Sequence, residues 1–215
     1  MRTMIICAAL LFLACFAGAA YAEKYSFPAN KVSQIDVVIN DGVLNVRSAD
    51  VDEVSVNVTP EKSKYAKRHI KLRRDSQLEI YLDDDANTPD SIIDITVPAK
   101  KMDMEINSKR AKVDTANLKG RLSIDTAKGP VVVENFNGAL EIDTVYGEVY
   151  ASGIFERLDI ESDNAAVRVK LRELPGSYSY SIEGAGSIIF DLDSGIKKKK
   201  FKIKSDEFTG NLEVQ

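Results

Sequence analysis

The sequence predicts an all-β protein, built as a single elongated β-solenoid (β-helix) with rungs of about 18 residues and an N-terminal β-hairpin region in the same domain. Three observations support this prediction. Apolar and polar residues alternate with a period of two through most of the chain, which is typical of strands with one buried face. One segment recurs four times without gaps at a spacing of 18 residues. Beyond the N-terminus, no segment shows the recurrence of apolar residues that indicates a helix.

The composition excludes several classes of function. The 215 residues carry a formal net charge of −4, with a single histidine, His69, and no tryptophan. A net negative charge argues against a nucleic acid partner. One histidine is too few for a multi-histidine metal site and makes a His-based catalytic triad a poor expectation. We therefore expect a protein that is not an enzyme and needs no cofactor.

The first 22 residues have the pattern of a secretory signal peptide. Arg2 supplies the positive charge, Ile5 to Phe16 form the apolar segment, and Ala20 to Ala22 form a small-x-small cleavage site. A lipoprotein signal at Cys15 is the alternative, but the residues before it fit the usual Leu-small-small-Cys pattern poorly. We expect cleavage after Ala22, which leaves residues 23–215 as one domain without cysteine. The product would be periplasmic or extracellular and not an integral membrane protein.

We predict that residues 30–100 form the N-terminal rungs of the solenoid, in which the spacing is irregular. Strands at residues 35–39 and 43–46 flank the turn Asn40-Asp41-Gly42, which is the pattern of a β-hairpin. Pro98 marks a strand end, because proline cannot donate to a ladder of backbone hydrogen bonds. The alternation continues through three more sets of apolar residues: Val54, Val56 and Val58; Leu78, Ile80 and Leu82; Ile93, Ile95 and Val97.

Residues 101–215 predict the regular rungs. Looser copies of the repeat begin at Tyr180 and Phe201. Each copy predicts two short strands, whose apolar side chains share a core when the copies stack. The four copies without gaps begin at Met104, Leu122, Leu140 and Leu158. Each has a hydroxyl residue at its fifth position, and we expect these side chains to satisfy buried turn backbone: Ser108, Thr126, Thr144 and Ser162.

These motifs resemble a known family. The Asn40-Asp41-Gly42 turn, the strand at residues 94–98 and repeats of the type Leu-x-Ile-x-Ser/Thr-x-x-Gly-x-Val-x-Val are similar to bacterial exported "putative adhesin" domains of unknown function, relatives of autotransporter adhesin head domains. The resemblance covers about residues 35–214 and implies a β-solenoid and export. The chain departs from the pattern at Arg110-Ala111 and Ala165-Ala166, where the turn glycine is missing.

One column of residues predicts a surface for a partner. The alternation places four side chains of the second strands on the outer face, one above another: Val132, Tyr150, Arg168 and Ile189. A contiguous apolar stripe is either covered by the chain itself or is a binding site. Both interpretations stay open here, with the N-terminal hairpins as the cover or a sugar or protein as the partner. In the second case, Tyr150 beside Arg168 would offer a stacking surface.

Basic residues predict two further surfaces. A cluster within residues 61–74 would face anionic polysaccharide or lipid headgroups, or would simply be a solvated strand and loop. Near the C-terminus, alternation turns Lys200, Lys202 and Lys204 outward, where they would protect a sheet edge from pairing or meet an anionic partner. The residues of the first cluster that we single out are Lys64, Lys67, Arg68, Lys71, Arg73 and Arg74.

The acidic residues favour a solvated face over a reactive site. A calcium-loop spacing at Asp83, Asp85, Asn87 and Asp94 lacks the turn glycine and the terminal glutamate, so we prefer a solvated loop. A regular column of acids is poor evidence for one catalytic pair and is typical of a surface that maintains solubility. Its members are Glu105, Asp125, Glu141, Asp143, Asp159, Glu161 and Glu183.

The sequence therefore predicts an exported, non-enzymatic β-solenoid that acts as a binding or structural module of the cell envelope. Its partner would be an envelope component, either protein or polysaccharide. Two alternatives stay open. One is a surface adhesin proper, with an anchor encoded separately, and the other, less favoured, is a carbohydrate-active enzyme, because solenoids elsewhere host such activities. A fold alone does not decide between these functions.

Overall fold

A computed structural model describes residues 22–59, 67–83, 91–196, 202–205 and 208–215. In these ranges the chain forms strands, one 3-10 turn at Ala29–Lys31 and no α-helix. The strands are β1 (Glu23–Pro28), β2 (Gln34–Ile39), β3 (Val43–Ala49), β4 (Glu53–Thr59), β5 (Lys67–Leu72), β6 (Gln77–Asp83), β7 (Ile92–Pro98), β8 (Lys101–Ser108), β9 (Lys112–Ala116), β10 (Lys119–Thr126), β11 (Val131–Thr144), β12 (Glu148–Leu171), β13 (Ser179–Leu192) and β14 (Asn211–Val214).

All fourteen described strands belong to one mixed sheet. Its main path runs β1-β4-β7-β3-β9-β11-β10-β8-β2-β6-β5, while β12, β13 and β14 continue outward from β11. Three pairs are antiparallel, namely β1 with β4, β4 with β7, and β5 with β6. The other pairs between strands are parallel. The strand path curls into a nearly closed, barrel-like sheet.

This sheet corrects the predicted β-solenoid. A solenoid would divide residues 101–215 into separate rungs, each with two short strands. Instead, β11 has 14 residues and β12 has 24, so both run through positions where the repeat predicted turns. The pairing register shifts there, between Val133 and Phe136 and between Gly138 and Ala139, because bulges let a strand bend without ending. Residues 30–100 do not form rungs, and the predicted β-hairpin at Asn40-Asp41-Gly42 is wrong as well. Its two arms, β2 and β3, do not pair with each other in the described chain: β2 runs parallel to β6 and β8, and β3 runs parallel to β7 and β9.

The 18-residue repeat sets the register of the parallel pairs among β8 to β12. Leu122 in β10 lies beside Leu140 in β11, and Val131 in β11 lies beside Val149 in β12. Equivalent apolar side chains therefore stack across the sheet at the ordinary strand spacing of about 4.8 Å. They join one hydrophobic cluster that extends from Val32 to Phe190 in the described chain.

The predicted role of the hydroxyl column is confirmed at three of its four positions. Ser108 Oγ accepts a hydrogen bond from the backbone N–H of the residue three positions later at 3.1 Å. Thr126 Oγ1 and Ser162 Oγ accept equivalent bonds at 3.3 and 3.2 Å. Thr144 Oγ1 is buried and has no hydrogen-bond partner among the described residues.

Two glycines allow neighbouring strands to approach closely. Gly120 and Gly138 are register partners, and both have a positive φ, of 119° and 144°. A Cβ on Gly138 would lie 2.0 Å from the carbonyl oxygen of Gly120, and a Cβ on Gly120 would lie 2.2 Å from that of Met102. Only glycine avoids both the backbone strain and the collision.

Several predictions fall on residues that the structure does not describe. The predicted signal peptide, residues 1–22, lies outside the described residues except for Ala22. Lys64, Asp85, Asn87 and Lys200 lie outside them as well. Export and the single domain at residues 23–215 stay predictions. No helix in the described ranges is long and apolar enough to cross a membrane.

Candidate partner-binding groove

The four residues of the predicted partner surface lie together on the outer face of β11, β12 and β13. Val132 is the register partner of Tyr150, and Arg168 is the register partner of Ile189. Their neighbours along each strand are buried and form part of the core: Val131, Val133, Val149, Ala151, Val167, Val169, Ile188 and Phe190. The alternation of the sequence therefore places the four side chains outward, as their position in each strand requires.

These four residues line an open groove of about 370 Å³. Val132, Tyr150 and Ile189 are half-buried and supply an apolar floor, while Glu148 and Ser187 add polar groups. No described residue of β1 to β7 lines the groove. The alternative that the N-terminal hairpins cover this stripe is therefore wrong for the described part of the chain.

The guanidinium of Arg168 forms an ion pair with Asp191, so it is not available to a ligand stacked on Tyr150. Its Nε donates to Asp191 Oδ2 at 2.5 Å and its Nη2 donates to Asp191 Oδ1 at 3.2 Å. This two-bond ion pair raises the pKa of Arg168 above its ordinary value. Because Asp191 neutralises the guanidinium, Arg168 forms a fixed polar rim and adds little net charge to the groove.

The sequence analysis missed Asp191. It stands two residues after Ile189 and therefore shares the outer face, so strand parity could have indicated it. The choice of Arg168 as its partner depends on a diagonal contact between neighbouring strands. Such a contact follows from the side-chain conformations, which the alternation of residues does not determine.

The basic cluster is only partly described. Lys67 and Arg68 begin β5, which pairs with β6 and, among the described strands, ends the main path of the sheet. Lys71, Arg73 and Arg74 are exposed. Arg73 Nη1 donates to Glu79 Oε1 at 2.9 Å, so at least this cation has an acidic neighbour. The use of the cluster as an anionic-partner surface stays a prediction.

The predicted acidic face forms a column across four strands. Asp125, Asp143, Glu161 and Glu183 are successive register neighbours on β10, β11, β12 and β13. Partial burial, followed by the charges of Asp125 and other nearby acids, raises the pKa of Asp143. The charge of Asp143, followed by partial burial, raises the pKa of Glu161. The acids therefore repel one another.

The calcium-loop spacing gains no support from the described residues. Asp94 lies within β7, where its Oδ1 accepts a hydrogen bond from Asn45 Nδ2 at 2.8 Å. In the part of the chain that the structure describes, no three His, Cys, Asp or Glu side chains come together in a way that could hold a metal ion.

A second hollow was not predicted. It has a volume of about 730 Å³ and lies where the segment before β13 meets residues 202–204. Tyr178, Lys202 and Lys204 are among its lining residues. Alternation indicated that the two lysines face outward, but no sequence pattern joins them to Tyr178, which precedes the strand.

The fold and the groove define an all-β protein with a largely apolar groove on the outside of a mixed sheet. No protein-family model and no curated protein sequence matches the chain. Solved structures do. A "putative cell adhesion protein" from Clostridium sporogenes is 14% identical, with a TM-score of 0.47, over 91% of this chain and 99% of that one.

Two further solved structures are similar to the chain. A "putative adhesin" from Parabacteroides merdae is 12% identical, with a TM-score of 0.42, over 90% of this chain and 96% of that one. One from Bacteroides fragilis is 15% identical, with a TM-score of 0.42, over 92% and 98% of the two chains.

Proposed function

We propose that this protein is an exported, non-enzymatic binding module of the cell envelope, and that its groove beside Tyr150 holds an apolar segment of a protein partner. The open groove on β11, β12 and β13 carries the proposal. Contiguous apolar surface on the outside of a soluble protein is uncommon without a use.

The chemistry of the groove favours a protein over a sugar. Sugar hydroxyls need several polar groups arranged around an aromatic ring. Here Val132 and Ile189 flank Tyr150 on an apolar floor, and the guanidinium of Arg168 is already bonded to Asp191. A tyrosine in an apolar pocket with a polar rim is typical of the centre of a protein interface.

The predicted signal peptide at residues 1–22 supports the cell envelope as the location of this protein. Arg2, the apolar segment at residues 5–16 and the Ala20–Ala22 site are the parts of a secretory signal. The chain after Ala22 has no cysteine, so its stability in an oxidising compartment would rest on packing alone. A surface adhesin proper, with a separately encoded anchor, is the alternative form of this function.

A binding experiment with matched tyrosine variants tests the proposal. The purified protein is immobilised and exposed to envelope extract that is intact, protease-treated or periodate-treated. We expect binding to survive periodate, which destroys sugars, and to be lost after protease. Tyr150→Ala should weaken binding by about thirtyfold, the effect of losing a central interface residue.

Tyr146→Ala is the control, because Tyr146 is 50% exposed and lies in the turn before β12, outside the groove. It should bind like the wild type. Tyr150→Ala should lower the free energy of unfolding by clearly less than the roughly 3–5 kcal/mol that a fully buried aromatic residue costs, because the ring is half-buried. Equal binding by the two variants would refute the groove as the site. Binding that resists protease but not periodate would identify a sugar partner instead.

A further inference from the structure

The second hollow, at the C-terminal end of the sheet, has a basic wall. Lys202 and Lys204 are exposed and lie on one side, and residues 176–180 lie on the other. We call the three residues Tyr178, Lys202 and Lys204 the lysine–tyrosine surface. It is separate from the groove, since the two share no lining residue.

Backbone hydrogen bonds fix the lysine segment against β13. The N–H of Lys204 donates to the carbonyl oxygen of Tyr180 at 2.9 Å, and the N–H of Ile182 donates to the carbonyl oxygen of Lys204 at 2.9 Å. Ile203 packs against the core and is half-buried. Because side chains alternate along an extended segment, Lys202 and Lys204 then point to the outer side together.

The aromatic wall is held in place as well. The rings of Tyr178 and Tyr180 have centroids 4.7 Å apart. Tyr180 is buried, and its hydroxyl donates to the carbonyl oxygen of Phe155 at 2.9 Å. Tyr178 is half-buried, with an apolar ring and a polar hydroxyl. Tyrosines of this kind suit the boundary between water and the apolar part of a membrane.

The described lining of the hollow contains two lysines and no acidic residue. The chain has a formal net charge of −4, yet six of its lysines fall between residues 197 and 204. The four at 197–200 lie outside the described residues and are cited only for their place in the sequence. The membrane surface argued here therefore rests on the two described lysines, Lys202 and Lys204, and an anionic lipid surface attracts each basic residue near it by about 1 kcal/mol.

We propose that the lysine–tyrosine surface docks the protein on an anionic phospholipid membrane, with the lysines at the headgroups and Tyr178 at the interface. Lysine is a flexible point charge that matches the spread negative charge of a lipid surface. A site for one phosphate would need a fork of arginine donors or a nest of backbone N–H groups, and the described lining of the hollow contains no arginine.

Vesicle co-sedimentation of the full exported protein tests this proposal. Vesicles of phosphatidylcholine and phosphatidylglycerol at about 3:1 should bind the wild type at low salt, and vesicles of phosphatidylcholine alone should not. Binding should fall steeply at about 0.5 M NaCl, because salt screens surface charge. K202Q/K204Q should weaken binding to the anionic vesicles by about thirtyfold, since each basic residue at the surface adds about fivefold.

The matched control is K101Q/K119Q, which changes the net charge equally. Lys101 and Lys119 are exposed register partners on β8 and β10, away from the hollow. This control should bind within about twofold of the wild type, and Tyr150→Ala should also bind normally, which separates this proposal from the groove. Equal loss in both lysine pairs would overturn the proposal by showing a general charge effect. Displacement of the vesicles by soluble anionic polysaccharide at matched charge would overturn it in favour of a glycan partner.

Discussion

The hydroxyl of Thr144 differs from its three counterparts in the same column. Ser108, Thr126 and Ser162 each accept a hydrogen bond from a turn N–H, whereas Thr144 Oγ1 is buried and unpartnered in the described chain. The turn after Thr144 contains Gly147, with a φ of 140°. An unpaired buried hydroxyl loses its bonds to water without replacing them, which costs about 1–3 kcal/mol.

Substitution by valine should therefore have opposite effects at two equivalent positions. Thr144→Val removes an unpaired polar atom and should raise the free energy of unfolding by about 1 kcal/mol. Thr126→Val removes the acceptor of the Gly129 N–H and should lower it by about 1–2 kcal/mol. Denaturant unfolding of both variants measures the difference. Destabilisation of similar size in both would mean that Thr144 has a partner, such as bound water.

At the scale of strands, the acidic column places like charges on four neighbouring strands. The pKa of Asp143 and that of Glu161 are both raised from their ordinary values of 3.8 and 4.5. A carboxyl with a raised pKa holds its proton more tightly in the folded state than in the unfolded state. The stability of the protein should therefore rise as the pH falls through these raised values, and decline as the pH rises through them.

Asp143→Asn tests this repulsion. Above pH 6, the variant should be more stable than the wild type by about 0.5 kcal/mol, because one of the opposing charges is gone. The gain should shrink at about 0.5 M NaCl and below pH 4. Asp103→Asn, an exposed acid on β8 outside the column, should show no such gain. An identical response of the two variants in thermal melts would contradict the effect of the column.

The sequence allowed the strands and their faces to be predicted, but not how the strands join. Alternation identifies Val131 and Val149 as buried and Val132 and Tyr150 as outward, because parity within a strand is a local property. The continuity of β12 across the register shift between Ser162 and Ala165 depends on its neighbours, as does each bulge. The antiparallel pairs of β4 with β1 and with β7 join strands that are not consecutive in the chain, and the repeat gives no register for them.

At the scale of the whole molecule, the first described strand begins where the predicted leader ends. β1 starts at Glu23, immediately after Ala22, and pairs with β4. We predict that the exported protein begins at Glu23, because Ala20–Ala22 fits the small-x-small rule for signal cleavage. Intact-mass analysis of protein recovered from the periplasm or the medium measures this directly. A diacylglycerol group on Cys15 would contradict both the cleavage site and the free, exported form.

The register of the N-terminal strands bears on how the chain behaves while it is being made. Gln34 in β2 pairs with Asp103 in β8, 69 positions later, and Val43 in β3 pairs with Lys112 in β9, also 69 positions later. A ribosome therefore produces β2 and β3 well before the strands that close their open sides. Unpaired strand edges readily join with other chains. Chains that terminate before β8 should consequently aggregate. In the complete chain, β8 and β9 pair with β2 and β3 and so prevent these strand edges from joining with other chains.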